Sequence, residues 1–266
     1  MPSEKSSVST TSNTHLVLIP SYNTGVRVID TVRKALEFWN PVWVVMDGSN
    51  DGTAEQLQRL AQSEGNLRVS VLEKNQGKGA AVLHGLTLAV ADGFTHVLTM
   101  DADGQHPAEK IPDFMRASAA QPDALVLGCP VFDASAPLLR VRGRKISNWW
   151  ANLETLWGGI GDSLFGMRVY PAPALLELMR SQRWMRRFDF DVEAAVRLVW
   201  SGLPTQNLPT PVRYFRKDEG GVSHFRYGRD NALLTWMHTR LFLEFLIRLP
   251  ILIARRSKRK HRLEAA

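Results

Sequence analysis

Thr95-His96-Val97-Leu98-Thr99-Met100-Asp101-Ala102-Asp103-Gly104-Gln105-His106-Pro107 is the stretch on which the fold turns. An apolar run of strand length, Thr95 to Met100, stops at two carboxylates one residue apart. Such a run reads as a strand buried on both faces, with its polar residues delivered to its carboxyl end. Pro107 then stands at the favoured first position of a new helix.

The same grammar repeats upstream. His15 to Pro20 and Val42 to Met46 read as buried strands, and Leu67 to Glu73 as a third. Gly25 to Trp39 places Val26, Ile29, Val32 and Leu36 at helical spacing. Thr53 to Gln62 and Gly77 to Ala91 are further helices, the latter with Ala81, Leu83, Leu86 and Val90 on its apolar side. Ala124 to Gly128 is one more strand. Strand and helix alternate with short connections, which predicts an α/β fold with a mostly parallel sheet covered by helices on both faces. In such sheets ligands bind beyond the carboxyl ends of the strands. Pro20-Ser21-Tyr22-Asn23, Asp47-Gly48-Ser49 and Asp101-Ala102-Asp103 all fall at those ends and should converge.

The second half is less regular. Arg140 to Trp157 is predicted helical, Asp162 to Tyr170 extended, Phe188 to Gly202 helical and Gln206 to Tyr214 a strand. Lys217 to Gly221 reads as a loop, and Arg226 to Ala254 as helical. Residues 1–14 are Ser/Thr-rich without an apolar stretch, so a disordered lead is expected rather than a secretory signal.

Composition narrows the function classes. The 266 residues are 44% hydrophobic and 22% charged, which excludes general disorder. Cys129 is the only cysteine, which excludes a disulfide framework and a multi-cysteine zinc site and suits a reducing cytoplasm. The net charge is +7, but six Lys/Arg and one Glu lie between Arg255 and Glu264. A terminal cluster of this kind is poor support for nucleic acid, which calls for basic residues spread over a folded surface. No uncharged run is long enough for an ordinary transmembrane helix.

Several stretches carry chemistry, each beside a plainer explanation. Asp101 and Asp103 can both face a hard divalent cation, Mg²⁺ or Mn²⁺, that holds a diphosphate; a solvated acidic turn is the plainer alternative. Asp47 can accept hydrogen bonds from a base or ribose, in a segment whose Asp51 or Thr53 also serves as a helix cap. Asn75-Gln76-Gly77-Lys78-Gly79 opens a helix, where exposed N–H groups favour an anion, although it lacks the spacing of a P-loop. Arg140, Arg142, Arg144 and Lys145 could grip a phosphate or form a solvated basic face.

Taken in order, these motifs resemble the family 2 glycosyltransferases of the GT-A fold. The match runs through Ile19-Pro20-Ser21-Tyr22-Asn23, Val44 to Thr53, Asn75 to Ala81 and Met100 to Pro107, and the resemblance extends from about Leu16 to Tyr214. The branch it looks most like is that of dolichyl-phosphate mannose synthases and polyprenyl-phosphate glycosyltransferases. The resemblance implies an inverting transfer from a UDP- or GDP-linked sugar. Pro20, Tyr22, Asn23 and Asp47 would line the base and ribose pocket, and Lys78 matches the family's basic residue. Asp101, Ala102 and Asp103 would meet the donor diphosphate, with Asp101, Asp103 and Gln105 as metal ligands. Met46 stands where the family often has a first aspartate, which leaves the base open. Asp162-Ser163-Leu164-Phe165-Gly166-Met167-Arg168 resembles a later block and makes Asp162 the first candidate for general base, with Asp189 and Asp191 behind it. Arg144, Arg168 and His224 are further candidates for substrate contact, His224 standing where relatives carry a lysine.

From Trp236 to Ala254 apolar residues crowd together, interrupted by Glu244, Arg248 and Pro250. An interfacial helix followed by basic residues fits an anionic membrane surface, the alternative being a helix packed on the domain or on a partner. The chain is thus expected to comprise a lead (1–14), a GT-A domain (15–225) and an amphipathic helix with a basic tail (226–266). The expected location is the cytoplasmic face of the cell membrane, where a lipid-linked acceptor is met. A nucleotidyltransferase is disfavoured by the missing Gly-rich signature near the N-terminus. A non-catalytic binding module would leave the Asp101-Ala102-Asp103 block unexplained.

Overall fold

The computed structural model describes residues 9–132, 138–214 and 226–264. In chain order the first half runs β1 (Thr10–Thr11), β2 (His15–Ser21), α1 (Arg27–Phe38), β3 (Trp39–Asn40), β4 (Val42–Asp47), α2 (Thr53–Ser63), β5 (Leu67–Leu72), α3 (Lys78–Ala91), β6 (His96–Thr99), α4 (Ile111–Ala120) and β7 (Leu125–Val131). The second half runs α5 (Leu138–Glu154), β8 (Arg168–Pro171), α6 (Ala172–Ser181), α7 (Phe190–Trp200), β9 (Thr205–Pro211) and α8 (Tyr227–Glu264).

Seven strands form one sheet in the order β5-β4-β2-β6-β8-β7-β9. β8 runs antiparallel to both its neighbours, and every other pairing is parallel. The carboxyl ends of β2, β4 and β6 therefore lie at one edge of the sheet.

The near-continuous apolar strands follow from burial on both sides. Leu16 and Leu18 of β2 pack into one core with Trp43 and Val45, while Val17 and Ile19 pack into the other with Val44 and Met46. Alternate residues on a strand point to opposite faces, so each strand feeds both cores. α1, α2 and α4 cover one face. α3, α6 and α7 cover the other, and α5 and α8 join that layer through Ala151, Met237, Leu241 and Phe245.

The structure departs from expectation at four places. Thr10–Thr11, inside the expected lead, pairs in parallel with Trp39–Asn40. Only β8, at Arg168–Pro171, is a strand within the stretch expected to be extended, because the segment before it is tied by side chains rather than by a ladder. α6, with Ala172, Leu175, Leu176 and Met179 buried, escaped the sequence reading. Pro171 at its N-cap and Pro173 in its first turn mask a short helical period. α8 is longer than expected, 38 residues through Glu264, and carries Pro250 inside it.

Candidate active site

The carboxyl-end edge of the sheet opens into a cavity of about 690 Å³. Pro20, Tyr22, Asp47, Lys78, Asp101, Ala102, Asp103 and Gln105 line one wall. Arg144, Ser147 and Leu164 face them from α5 and its following loop, and Arg226, Arg229 and Leu234 come from the start of α8. The three strand-end clusters thus converge as expected.

Asp101 and Asp103 differ in environment. Lys78 Nζ lies 2.6 Å from Asp101 Oδ1 and 2.6 Å from Asp191 Oδ2, so its ammonium bridges α3, β6 and α7. Burial opposes the Lys78 charge, yet the two carboxylates outweigh it and hold its pKa above the ordinary lysine range. Burial likewise raises Asp101, but the charge and hydrogen bond of Lys78 outweigh it and bring its pKa to about 2. For Asp191, with 7% of its side chain exposed against 33% for Asp101, burial wins and the pKa is raised. Burial, reinforced by the charge of Asp101, pushes Asp103 up to about 6.

His106 completes this corner. Its Nδ1 accepts from the Asp101 backbone N–H at 3.2 Å, and its ring stands edge-on to Phe165. Burial lowers its pKa to about 4 despite Asp101, so the ring is neutral and shapes the turn rather than adding charge. Gly166 sits directly against the Asp101 carboxylate, and a Cβ there would collide with it.

Asp47 is tied to the next loop. It accepts from Gln76 N–H at 2.8 Å, Gly77 N–H at 2.7 Å and Asn75 Nδ2 at 2.9 Å. Burial still dominates and raises its pKa. These bonds correct the expectation for Asn75 to Gly79: two of the amides offered to an anion are already bound to Asp47. The glycines serve close packing instead. A Cβ on Gly79 would strike the Met185 carbonyl, so glycine there lets the 185–187 loop reach the cavity with Arg187 and Phe188. Asn23 accepts the Asn50 N–H at 2.8 Å and joins two strand-end loops rather than lining the cavity.

The opposite wall revises the candidates for general base. Asp162 is buried and accepts from Arg144 Nη1 at 2.6 Å, Phe165 N–H at 2.7 Å, Leu164 N–H at 2.9 Å and Asn148 Nδ2 at 3.0 Å. A carboxylate so occupied positions Arg144 and organises its own loop; it does not face the cavity as a base. Asp189 is also buried, accepting the Met185 and Arg187 N–H groups in a turn. Arg168 is fully buried beneath the site, donating to the carbonyls of Phe165, Asp162 and Asp191. It is a clamp under the wall, not a substrate contact. Asp191 lines the cavity but is committed to Lys78. His224 lies outside the described residues.

Arg187, Phe188, Tyr214, Arg226 and Arg229 also line the cavity and were not singled out from sequence. Phe188 opens the stretch expected to be helical, and both residues adjoin Asp189, which is the one signal in the sequence that points to them.

The comparisons with known proteins agree with this architecture. The family profile described as "Glycosyl transferase family 2" matches residues 16–178. The polyprenol monophosphomannose synthase of Mycolicibacterium smegmatis is 29% identical over 217 residues, covering 78% of this chain and 79% of that protein. The undecaprenyl-phosphate 4-deoxy-4-formamido-L-arabinose transferase of Pseudomonas aeruginosa is 36% identical over 110 residues, 39% of this chain and 32% of that protein. The chain thus spans most of the first relative and about a third of the second. Among solved structures, one described as that of a mycobacterial protein aligns with TM-score 0.59 at 18% identity, over 89% of this chain and 75% of the other. S. aureus TarS 1-349 in complex with UDP-GlcNAc aligns with TM-score 0.54 at 18% identity, over 86% and 66%. The fold is GT-A. The chain belongs to glycosyl transferase family 2, and the class of its activity is glycosyl transfer.

Proposed function

We propose that this enzyme moves a sugar from a nucleotide-diphosphate sugar to a polyprenyl phosphate, with inversion at the anomeric carbon, at an anionic membrane surface. The observation that carries this reading is the single cavity with acidic strand ends on one wall and Arg144 on the other. The names of the two relatives, both acting on polyprenyl-type carriers, support the acceptor class, and the UDP-GlcNAc held by TarS supports the donor class.

The strand-end wall would take the nucleotide, with Asp47 and Tyr22 beside the base and ribose. Mg²⁺ or Mn²⁺ suits the donor set of Asp101, Asp103 and Gln105. All three offer oxygen, and Asp103 lies near a second carboxylate in a buried corner that an added cation would relieve. Among the described residues no group of three or more His, Cys, Asp and Glu gathers as a metal cage, so substrate phosphate and water would complete the sphere. A bound cation would neutralise charge on the departing diphosphate.

The helical wall would take the acceptor. A phosphate oxygen is already ionised near neutral pH, so it needs no strong base. That agrees with the commitment of Asp162 to Arg144: the carboxylate fixes the guanidinium, and the guanidinium would orient the acceptor phosphate. Direct in-line attack on the sugar would follow from the opposed walls.

α8 supports membrane contact. Met237, Leu241, Phe245 and Leu252 face the core, yet Trp236, Leu243, Ile247 and Ile251 recur at seven- and four-residue spacing on the outside. Ile247 is 80% exposed, and Ile146 and Trp149 of α5 are also exposed. Apolar surface beside a basic helix end fits an anionic bilayer interface, here assigned to the cytoplasmic face. Among the described residues no helix is long and apolar enough to cross a membrane.

The test is transfer of radiolabelled sugar from a panel of UDP- and GDP-sugars to a polyprenyl phosphate in anionic vesicles. Extractable labelled lipid with one donor supports the proposal. Sugar transfer to a non-phosphorylated acceptor only, from the same donors, contradicts the acceptor assignment.

A further inference from the structure

A buried polar chain lies behind the α5 wall, outside the chemistry described above. Glu154 Oε1 is 2.9 Å from His238 Nδ1, and His238 Nε2 is 3.1 Å from Ser147 Oγ. Ser147 Oγ is in turn 3.3 Å from Ser163 Oγ. All four residues are buried, and Ser147 also lines the cavity. The order Ser, His, acid is that of a nucleophilic triad. Ser147 nevertheless sits within a helix, whose amides are bonded along its axis, so no pair of N–H groups is offered to an oxyanion there.

The far end of the chain fixes the directions of the hydrogens. Asn148 Nδ2 donates to Asp162 Oδ2 at 3.0 Å, and Asn148 Oδ1 accepts the Ser163 N–H at 2.8 Å. Together these bonds fix which way the amide points. Ser163 Oγ lies 2.7 Å from the same Oδ1 and must place its one hydrogen there. Toward Ser147 it can only accept. Ser147 therefore donates to Ser163, and its oxygen accepts from His238 Nε2–H. The second ring nitrogen faces a carboxylate, so another proton lies between Nδ1 and Glu154 Oε1. Glu154 Oε2 is buried with no partner among the described residues, which disfavours leaving this carboxylate as a bare anion.

We propose that Glu154 and His238 are positioning residues that set the direction of the Ser147 hydroxyl on the acceptor wall. The proton held between them keeps Nε2 a donor. With a lone pair held by Nε2–H, Ser147 keeps its one hydrogen off the ring, at rest toward Ser163 Oγ 3.3 Å away, and can turn it to an anionic oxygen entering beside Arg144 one helical turn away. With a neutral ring protonated on Nδ1, Nε2 would take the Ser147 hydrogen, and the hydroxyl would turn its lone pairs toward the anion. Trp150, its ring 6.3 Å from that of His238, flanks the pair on α5. The inference rests on the acceptor of the proposed function being anionic.

Two readouts test it on the full chain. In ¹⁵N-histidine-labelled protein, two-bond ¹H–¹⁵N spectra should show His238, assigned by loss of its signals in His238→Gln, protonated on Nε2. In Glu154→Gln the ring should become the neutral Nδ1–H form. A wild-type ring bare on Nε2 overturns the proposal whatever the substrates prove to be. In the polyprenyl phosphate transfer assay, Glu154→Gln should raise the acceptor KM about tenfold, the size of one hydrogen bond to a charged group. The donor KM should stay within about twofold, and Glu154→Asp should recover part of the loss. An unchanged acceptor KM, or an equal rise in both KM values, from variants with wild-type melting temperatures, overturns the proposal. Absence of any transfer to polyprenyl phosphate would count against the acceptor assignment alone, and the spectra would still decide the direction of the hydroxyl.

Discussion

On the strand-end wall four polar groups follow directly from buried strands: Tyr22 after β2, Asp47 at the end of β4, Asp101 and Asp103 after β6. On the helical wall Arg144, Asp162 and Ser147 hold their places through side-chain bonds among α5, the 158–166 loop and α8. The sheet imposes position on the first wall. On the second, position depends on each polar partner being present. Loss of a group on the first wall should therefore remove chemistry and leave the fold intact. On the second wall it should loosen geometry first.

Asp103→Asn should show the largest effect. Transfer should fall on the order of a thousandfold, the scale of losing charge stabilisation at the reacting centre. The fold should not suffer, and the pH dependence has a defined sign. A carboxyl raised to about 6 from an ordinary 3.8 stabilises the fold fully below that ordinary value. That contribution is lost as pH rises through about 6. The variant should then melt higher than wild type at pH 8, with the difference vanishing near pH 4. Equal melting curves at both pH values would remove the strain assigned to this corner.

Gly166→Ala comes next. Its Cβ must displace the Asp101 carboxylate. Overpacking of this kind destabilises by about 1–3 kcal/mol, and transfer should drop on the order of a hundredfold. A loss of turnover no larger than the loss of folded protein would show that Asp101 had not moved functionally.

For Arg144→Lys, charge is kept but the guanidinium N–H that bonds Asp162 is lost. The acceptor KM should rise about tenfold, with donor affinity unchanged by calorimetry. A matching fall in donor affinity would merge the two walls into one site.

Leu243→Glu with Ile247→Glu should show the smallest change in chemistry. Vesicle co-sedimentation should fall about tenfold or more, while donor binding in solution stays constant. Unchanged sedimentation would assign the outer face of α8 to something other than lipid.

The same contrast explains what could be read from sequence. Two-faced burial writes itself as continuous apolar runs, and a run that ends in Asp47 or in Asp101-Ala102-Asp103 shows where the site lies. The approximate bounds of β2, β4, α2 and α3 were legible for that reason. The helical wall has no such period. Asp162 has the residue type of a base, but only its four hydrogen bonds reveal an anchor. Arg168 resembles a phosphate ligand until its full burial is seen. His238, lost in an apolar helix, carries no sequence signal, because its partners Glu154 and Ser147 lie more than eighty residues away.

Cation-dependent donor binding at Asp101 and Asp103 is tested by calorimetric titration of nucleotide sugars into the wild-type chain and Asp103→Ala, each with and without Mn²⁺. One UDP- or GDP-sugar should bind only with the cation, its affinity should fall as pH drops through about 6, and Asp103→Ala should abolish binding while staying folded. Binding of equal strength without any divalent cation, or binding retained in Asp103→Ala, would contradict it.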